Sequence, residues 1–172
     1  MKAATVHEIK QELGTLKPAE LVEICQRLAR FKKENKELLT YLLFEAHHEE
    51  GYVESVKQEI DGLFETVNPS HLYFAKKTLR KIVRIINKYA RYSGRKQSEI
   101  EWRIYFCKRL KDSGIPFYQN KVTANLYEGQ LKKIGQLFED LHEDLQHDYR
   151  KEIEPLLEQA PVTKKFFSFF RR

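Results

Sequence analysis

The sequence is short of residues that break helices or build disulfide and metal sites. Its 172 residues include seven glycines, five prolines and two cysteines. So few helix breakers argue against long loops, and no glycine cluster forms a phosphate-binding loop. Cys25 and Cys107 lack the Cys-x-x-Cys spacing of zinc and redox motifs, and each falls within a helical pattern. We therefore expect two buried, reduced thiols and no disulfide framework.

Long apolar runs are lacking as well. No run approaches the roughly 20 residues that span a bilayer. The opening MKAATVHEIKQEL contains no apolar segment of the kind found in secretion signals. Apolar residues make up 41% of the chain and charged residues 33%, a balance typical of a folded, charge-rich helical protein rather than a disordered one. We therefore expect a folded cytoplasmic protein.

Apolar residues recur at three- and four-residue spacing along most of the chain, and no segment alternates like a strand. The pattern predicts an all-α protein of about seven helices joined by short turns. We expect a single domain over residues 1–160 and a basic, phenylalanine-rich tail over residues 161–172. Two layouts remain open, stacked α-hairpins of the HEAT-like type and an irregular helical bundle. The similar apolar spacing after Pro18 and after Pro69 is what suggests stacked hairpins.

Three details of the helical pattern make specific predictions. A helix opened by Pro18 should bury one apolar face. The leucine-rich helix after it should be central, because its apolar arc is wide. The last helix should run from about residue 123 to residue 159, with Pro155 as a point where it kinks or ends. The side chains expected to be buried in the first two of these helices are Leu21, Ile24, Cys25, Leu28, Phe31, Leu38, Leu39, Leu42 and Leu43.

The segment over residues 72–96 contains nine basic residues and no acidic one. Its apolar residues fall on one helical face, so a helix over residues 72–92 with its cations turned outward is predicted. Two interpretations of the cations remain open. They contact phosphates of a nucleic-acid backbone, or they are solvated or paired with the acidic segment at residues 139–158, in the same chain or in a second copy. The residues of this basic face are Lys76, Lys77, Arg80, Lys81, Arg84, Lys88 and Arg91.

The stretch LKPAELVEICQRLARFKKENKELLTYLLFE, residues 16–45, resembles the N-terminal part of small all-helical bacterial proteins of uncharacterised function. The resemblance implies a helical fold for this part of the chain. It brings no known activity with it, so no site residue, cofactor or partner is carried over from it.

Catalytic and metal-binding patterns are few. Two Glu-x-x-His pairs occur, Glu45 with His48 and Glu139 with His142, a spacing that di-iron bundles use. Here the helical projection turns Glu139 and His48 away from the apolar faces, so we expect solvated helix ends rather than a metal site. No nucleophile with an adjacent base can be assembled either. We expect no catalytic residue, no cofactor and no metal.

The sequence thus favours a protein that binds another macromolecule. The leading hypothesis is protein–protein interaction, with a different protein or with a second copy of the chain. The alternative is nucleic-acid binding without sequence preference through the basic face, with Tyr73, Tyr92 and Tyr118 available for stacking. The tail is expected to fold back on its own domain, to dock on a partner, or to contact a membrane peripherally. Its apolar residues are Phe166, Phe167, Phe169 and Phe170.

Overall fold

The structure is a computed structural model that describes residues 2–69 and 71–157. No strand occurs in these residues, so the prediction of an all-α protein with about seven helices is confirmed. The elements are α1 (Val6–Thr15), α2 (Pro18–Phe31), α3 (Lys33–Thr40), a π-helical turn (Tyr41–Glu45), α4 (Glu49–Glu65), α5 (Leu72–Ser93), α6 (Lys96–Asp112), a 3₁₀ turn (Phe117–Gln119), α7 (Lys121–Glu139) and α8 (Glu143–Leu157).

The chain separates into two compact units, one up to Glu45 and one from Ala46 onward. The N-terminal unit contains α1, α2, α3 and the π-helical turn, and within it α2 packs against α3. The second unit contains α4 to α8. The sequence predicts a single domain over residues 1–160 and gives no sign of this division into two units. The expected tail at residues 161–172, with its four phenylalanines, lies outside the described residues.

Local signals in the N-terminal unit act as the sequence indicates. The backbone N–H of Thr5 donates to Glu8 Oε2 at 2.6 Å, and the Glu8 N–H donates to Thr5 Oγ1 at 3.3 Å. This reciprocal pair is a capping box, which satisfies two backbone donors at the start of α1. The hydrogen bond from the Thr5 backbone also holds the pKa of Glu8 below its usual value. Pro18 occupies the first turn of α2, where its missing N–H costs little.

The second unit is built around α6, which packs against α4, α5, α7 and α8. Trp102, Phe106 and Leu110 of α6 are fully buried. The Trp102 indole N–H donates to the backbone oxygen of Val53 in α4 at 3.1 Å, so the largest core side chain is also satisfied as a donor. In a linear array of hairpins each pair contacts only its neighbours. One helix with four others around it is the arrangement of a helical bundle.

Helix α5 confirms the prediction over residues 72–92. It ends at Gly94, whose φ of 65° is left-handed and whose N–H donates to the Ala90 oxygen at 2.9 Å. Leu79, Ile82 and Ile86 are fully buried against the rest of the unit. The apolar side of the helix therefore faces the core, as its spacing predicts.

The prediction of one continuous final helix over residues 123–159 is wrong. Helix α7 ends at Glu139 and α8 begins at Glu143. The Gln146 side-chain amide donates to the backbone oxygens of Phe138 and Leu141 at 3.0 Å each, which satisfies acceptors left free at the break. Neither glycine nor proline marks this break. It is made by side-chain hydrogen bonds, which apolar periodicity does not reveal.

Candidate interaction surfaces

The N-terminal unit carries most of the exposed apolar surface. Thirteen large hydrophobic side chains are exposed among the described residues, and ten of them belong to this unit. Their exposed fractions run from 37% for Leu13 to 84% for Val6. Exposed apolar surface on a folded protein is typical of interaction sites. We call the ten residues the N-terminal apolar face: Val6, Ile9, Leu13, Val22, Ile24, Leu28, Phe31, Leu42, Leu43 and Phe44.

This face overturns the predicted burial of α2 and of the leucine-rich segment. Across α1, α2 and α3, whose residues are all described, no side chain is buried. Phe31 is 81% exposed and Leu43 is 65% exposed, and Cys25, expected to be buried, is exposed as well. The leucine-rich segment is therefore not central. An apolar stripe shows that a helix has a face to cover, but it does not show that the same chain covers it.

Charge on the N-terminal unit is nearly balanced. Residues 1–45 contain eight lysines and arginines against seven acids, whereas the rest of the chain contains 23 against 18. The net positive charge of the chain thus belongs almost entirely to the second unit. The N-terminal apolar face lies in a unit without strong charge of either sign.

The basic face of α5 lies on the side of the helix away from the core. Its members are exposed except Lys76 and Lys88, which are half-buried. At 100° per residue, Lys77, Arg80, Arg84 and Arg91 fall together with Tyr73 within about 60° of one another. With a rise of about 1.5 Å per residue, this line extends for about 27 Å along the helix. The sequence prediction of outward cations is confirmed.

Apart from Lys88, these cations are not neutralised within the described part of the chain. Six of the seven residues of the basic face have no carboxylate oxygen within 4 Å in residues 2–69 and 71–157. The Nζ of Lys88 lies 4.6 Å from the centroid of the Tyr89 ring, a cation–π contact. Arg84 Nε donates to the backbone oxygen of Arg80 at 3.3 Å, and the Arg84 side chain remains exposed.

The acidic segment at residues 139–158 pairs with a different helix. Asp140 forms an ion pair with Lys96 at 2.9 Å, and Glu152 forms one with Lys108 at 2.6 Å, both lysines lying in α6. The Nζ of Lys111, also in α6, donates to the backbone oxygen of Pro155 at 2.7 Å. Helix α8 packs on α6 and α7. The described ion pairs that the segment makes with lysines therefore go to α6 and not to the basic face.

Two aromatic side chains extend the basic face at its N-terminal end. Tyr73 is 75% exposed and Phe74 is 61% exposed, and their rings meet edge to face at 5.4 Å. Tyr92, the second stacking candidate from the sequence, is half-buried. The third candidate, Tyr118, packs instead against Phe117, with ring centroids 4.3 Å apart. Burial raises the pKa of Tyr118 to about 12, so this ring is part of an internal aromatic cluster and not of the basic face.

The Glu-x-x-His pairs lie at helix ends. Glu139 is the last residue of α7, and the exposed His142 Nδ1 lies 3.3 Å from Asp144 Oδ2. His48 precedes α4. No group of three or more histidine, cysteine, aspartate and glutamate side chains suited to a metal ion occurs in the part of the chain that the structure describes. Cys107 is buried as predicted, and burial raises the pKa of its thiol well above the usual range, which keeps it protonated.

The sequence analysis missed a set of polar contacts in the second unit. Two adjoining cavities of about 330 Å³ each share Lys57, Gln97 and Glu101 in their walls. The Glu101 carboxylate accepts a hydrogen bond from the Tyr149 hydroxyl at 2.8 Å and lies 3.5 Å from Lys57 Nζ. Burial is the main cause that raises the pKa of Tyr149. Through Lys57, Glu101 and Tyr149 these contacts join α4, α6 and α8.

A second polar cluster crosses the core. Arg103 is 3% exposed, and its guanidinium donates to Glu99 at 2.5 and 2.9 Å, to Asn87 at 2.8 Å and to Gln130 at 2.5 Å. These contacts join α6 to α5 and α7. An arginine inside an apolar helical pattern is the only signal in the sequence for this cluster, and its partners lie too far along the chain to be inferred.

Comparison of the chain with protein-family models, with curated proteins and with solved structures finds no match. Among the described residues, no helix combines the length and apolar character needed to cross a membrane.

Proposed function

We propose that this chain is a non-enzymatic protein-interaction module whose N-terminal apolar face pairs with the same face of a second copy. The observation that carries the proposal is the placement of ten exposed large apolar side chains within 45 residues. Val6, Ile9 and Leu13 follow one line along α1, and Ile24 and Leu28 lie on one side of α2. Faces of this kind bury themselves against other helices.

The expected strength of the pairing follows from the apolar side chains. Fully burying a valine, leucine, isoleucine or phenylalanine contributes roughly 1.5–3 kcal/mol. Covering what remains exposed on ten side chains would contribute on the order of 10 kcal/mol from each copy. Association and side-chain ordering cost about 4–15 kcal/mol or more. The difference of roughly 5–16 kcal/mol brackets the value of about 8 kcal/mol for a dimer with a micromolar dissociation constant.

The charge balance favours a second copy over a membrane surface. With eight bases and seven acids in residues 1–45, two N-terminal units do not repel one another. Binding to an anionic membrane depends on both apolar area and a marked excess of lysine and arginine beside it. The N-terminal unit has the apolar area without that excess.

Sedimentation velocity across micromolar concentrations tests the proposal. Ile24 and Leu28 are 38% and 49% exposed, so I24E/L28E changes the face without placing a charge in a core. The matched control is V122E, which changes a residue of α7 that is 39% exposed. The unchanged protein and the control should be dimers and I24E/L28E a monomer, with equal helix content by circular dichroism. A monomeric unchanged protein, or a dimer that persists in I24E/L28E, would refute the proposal.

A thiol measurement adds an independent readout. Cys25 is exposed beside Ile24 and Leu28, whereas Cys107 is fully buried. One thiol per chain should react rapidly with a disulfide reagent, and that reaction should slow as the protein concentration rises and the dimer forms. A cytoplasmic location belongs to the same proposal. It is supported by the two free cysteines, since thiols persist in reducing compartments.

A further inference from the structure

The basic face of α5 is a second surface, separate from the N-terminal apolar face and carried by the other unit. A rigid helix of 22 residues presents it, since Leu79, Ile82 and Ile86 are fully buried and hold the helix to the core. The backbone positions that carry the cations are therefore fixed in a line. Because these positions are fixed in advance, less conformational entropy is lost when a partner binds.

Four cations follow one another along this line with Tyr73 at its start: Lys77, Arg80, Arg84 and Arg91. Helix α5 contains no acidic residue, and the ion pairs of the acidic segment go to α6. The line thus keeps its charge over about 27 Å. A linear array of positive charge fits a linear polyanion, whose condensed counterions are released on binding.

The exposed pair Tyr73 and Phe74 decides which polyanion fits best. Aromatic rings at the end of a cationic track stack on unpaired bases, and every base offers a face for stacking. In a duplex the bases already stack on one another, so such rings find no partner there. We propose that the basic face of α5 binds the backbone of single-stranded nucleic acid without sequence preference, with Tyr73 and Phe74 stacking on its bases.

An anionic membrane fits this surface less well. A helix that lies on a membrane inserts its apolar face between the lipid headgroups and keeps its cations at the rim. The apolar face of α5 is already used, because Leu79, Ile82 and Ile86 are fully covered by the protein. The exposed side of α5 presents a line of cations with two aromatic rings at one end. This arrangement suits a nucleic-acid strand that runs along the helix.

Fluorescence anisotropy of a labelled oligothymidylate of about 16 nucleotides tests the proposal, since such lengths match known single-strand sites. The unchanged protein should bind, and its affinity should fall steeply between about 50 and 200 mM salt. If four phosphates are contacted, the slope of log affinity against log salt should be about −3. R80E/R84E should lose about tenfold in affinity or more and reduce that slope.

Two further variants separate charge from stacking. Y73A/F74A should lose about fivefold in affinity or more while the salt slope stays the same, because the rings make no ionic contact. The matched control K10E/K36E makes the same charge change at two exposed lysines of the N-terminal unit and should bind like the unchanged protein. I24E/L28E should also keep its affinity for the oligonucleotide, which separates this test from that of dimerisation.

Several results would overturn the proposal. They are no binding in low salt, an equal loss in K10E/K36E and R80E/R84E, or preference for a duplex with no effect of Y73A/F74A. Binding to phosphatidylserine vesicles that R80E/R84E abolishes, with no binding to the oligonucleotide, would assign the surface to a membrane instead. Circular dichroism of each variant guards against misfolding, since every substituted side chain is largely outside the core.

Discussion

The buried guanidinium of Arg103 offers the sharpest test of how the second unit is held together. Replacing Arg103 with methionine keeps a long apolar stem and removes every donor. The acceptors on Glu99, Asn87 and Gln130 then lose their partner. These acceptors differ in their access to water. Gln130 is 6% exposed, the Glu99 side chain is 23% exposed and Asn87 is exposed, so water can replace the lost contact best at Asn87 and least at Gln130.

The expected loss follows from these contacts. Removing one member of a buried charge pair costs about 3–5 kcal/mol, and a buried acceptor left unpaired costs about 1–3 kcal/mol. Because Glu99 and Asn87 reach water, we expect a total near the lower end, about 3 kcal/mol. Replacing Gln130 with leucine as well removes the most deeply buried of the unpaired acceptors. R103M/Q130L should therefore recover about 1–2 kcal/mol of the loss.

Urea unfolding followed by tryptophan fluorescence measures the free energy of unfolding of each variant. Trp102 is the single tryptophan of the chain, is fully buried and precedes Arg103, so its emission reports the second unit. R80M is the matched control, since Arg80 is exposed, and should stay within about 0.5 kcal/mol of the unchanged protein. A loss below about 1 kcal/mol in R103M, or no recovery in R103M/Q130L, would show that the contacts of Arg103 do not stabilise the core.

Two further predictions concern the backbone and the response to alkali. At Gly94, where φ is 65°, G94A should destabilise the protein by about 1 kcal/mol through backbone strain, whereas G62A within α4 should stabilise it by about 0.5–1 kcal/mol. Both sites have open space around the new methyl group, so crowding does not contribute. Equal effects of the two substitutions in urea unfolding would contradict this prediction. Burial and the neighbouring Asp61 raise the pKa of Tyr105 from 10.0 to about 12, so the folded state holds this proton more tightly than the unfolded state. The contribution of Tyr105 to stability should therefore be constant up to about pH 10 and be lost between about pH 10 and 12. Stability should fall less steeply across that range in Y105F, and an equal fall in Y105F and the unchanged protein would contradict the assignment.

Much of the fold is predictable from apolar periodicity, and the exceptions have a common cause. Helix α5 has one clean apolar stripe, and its ends and its buried face are as predicted. Helix α6 is the centre of the second unit, yet the sequence shows no dominant stripe there. Ile100 and Trp102 are both buried although they lie on nearly opposite sides of it, because neighbouring helices cover it on several sides. A central helix thus gives a weaker periodic signal than a helix at the edge of the core.

The candidate surfaces were predictable to different degrees. The basic face was found because charge patterning needs only the helical period, and the outward cations of α5 follow from it directly. The break between α7 and α8 was missed because it depends on the Gln146 amide, which acts on acceptors five and eight residues away. The pairing of Lys108 with Glu152 was missed too, since it requires α8 to fold back on α6 after that break. The pairing of Lys96 with Asp140 was missed because it depends on the end of α7 lying beside the start of α6.

Helices α2 and α5 show why the same pattern has different outcomes. Each carries an apolar stripe on one side and charges on the other. For α5, both α6 and α7 lie against the stripe and bury it. For α2, the packed neighbour is α3, which has eight residues and leaves Leu28 about half exposed. A stripe that its own unit leaves uncovered costs free energy for as long as water contacts it. That cost is the free energy that pairing with a second copy of the N-terminal unit would recover, and it is the reason for proposing an interface at the clearest apolar face of the first 45 residues.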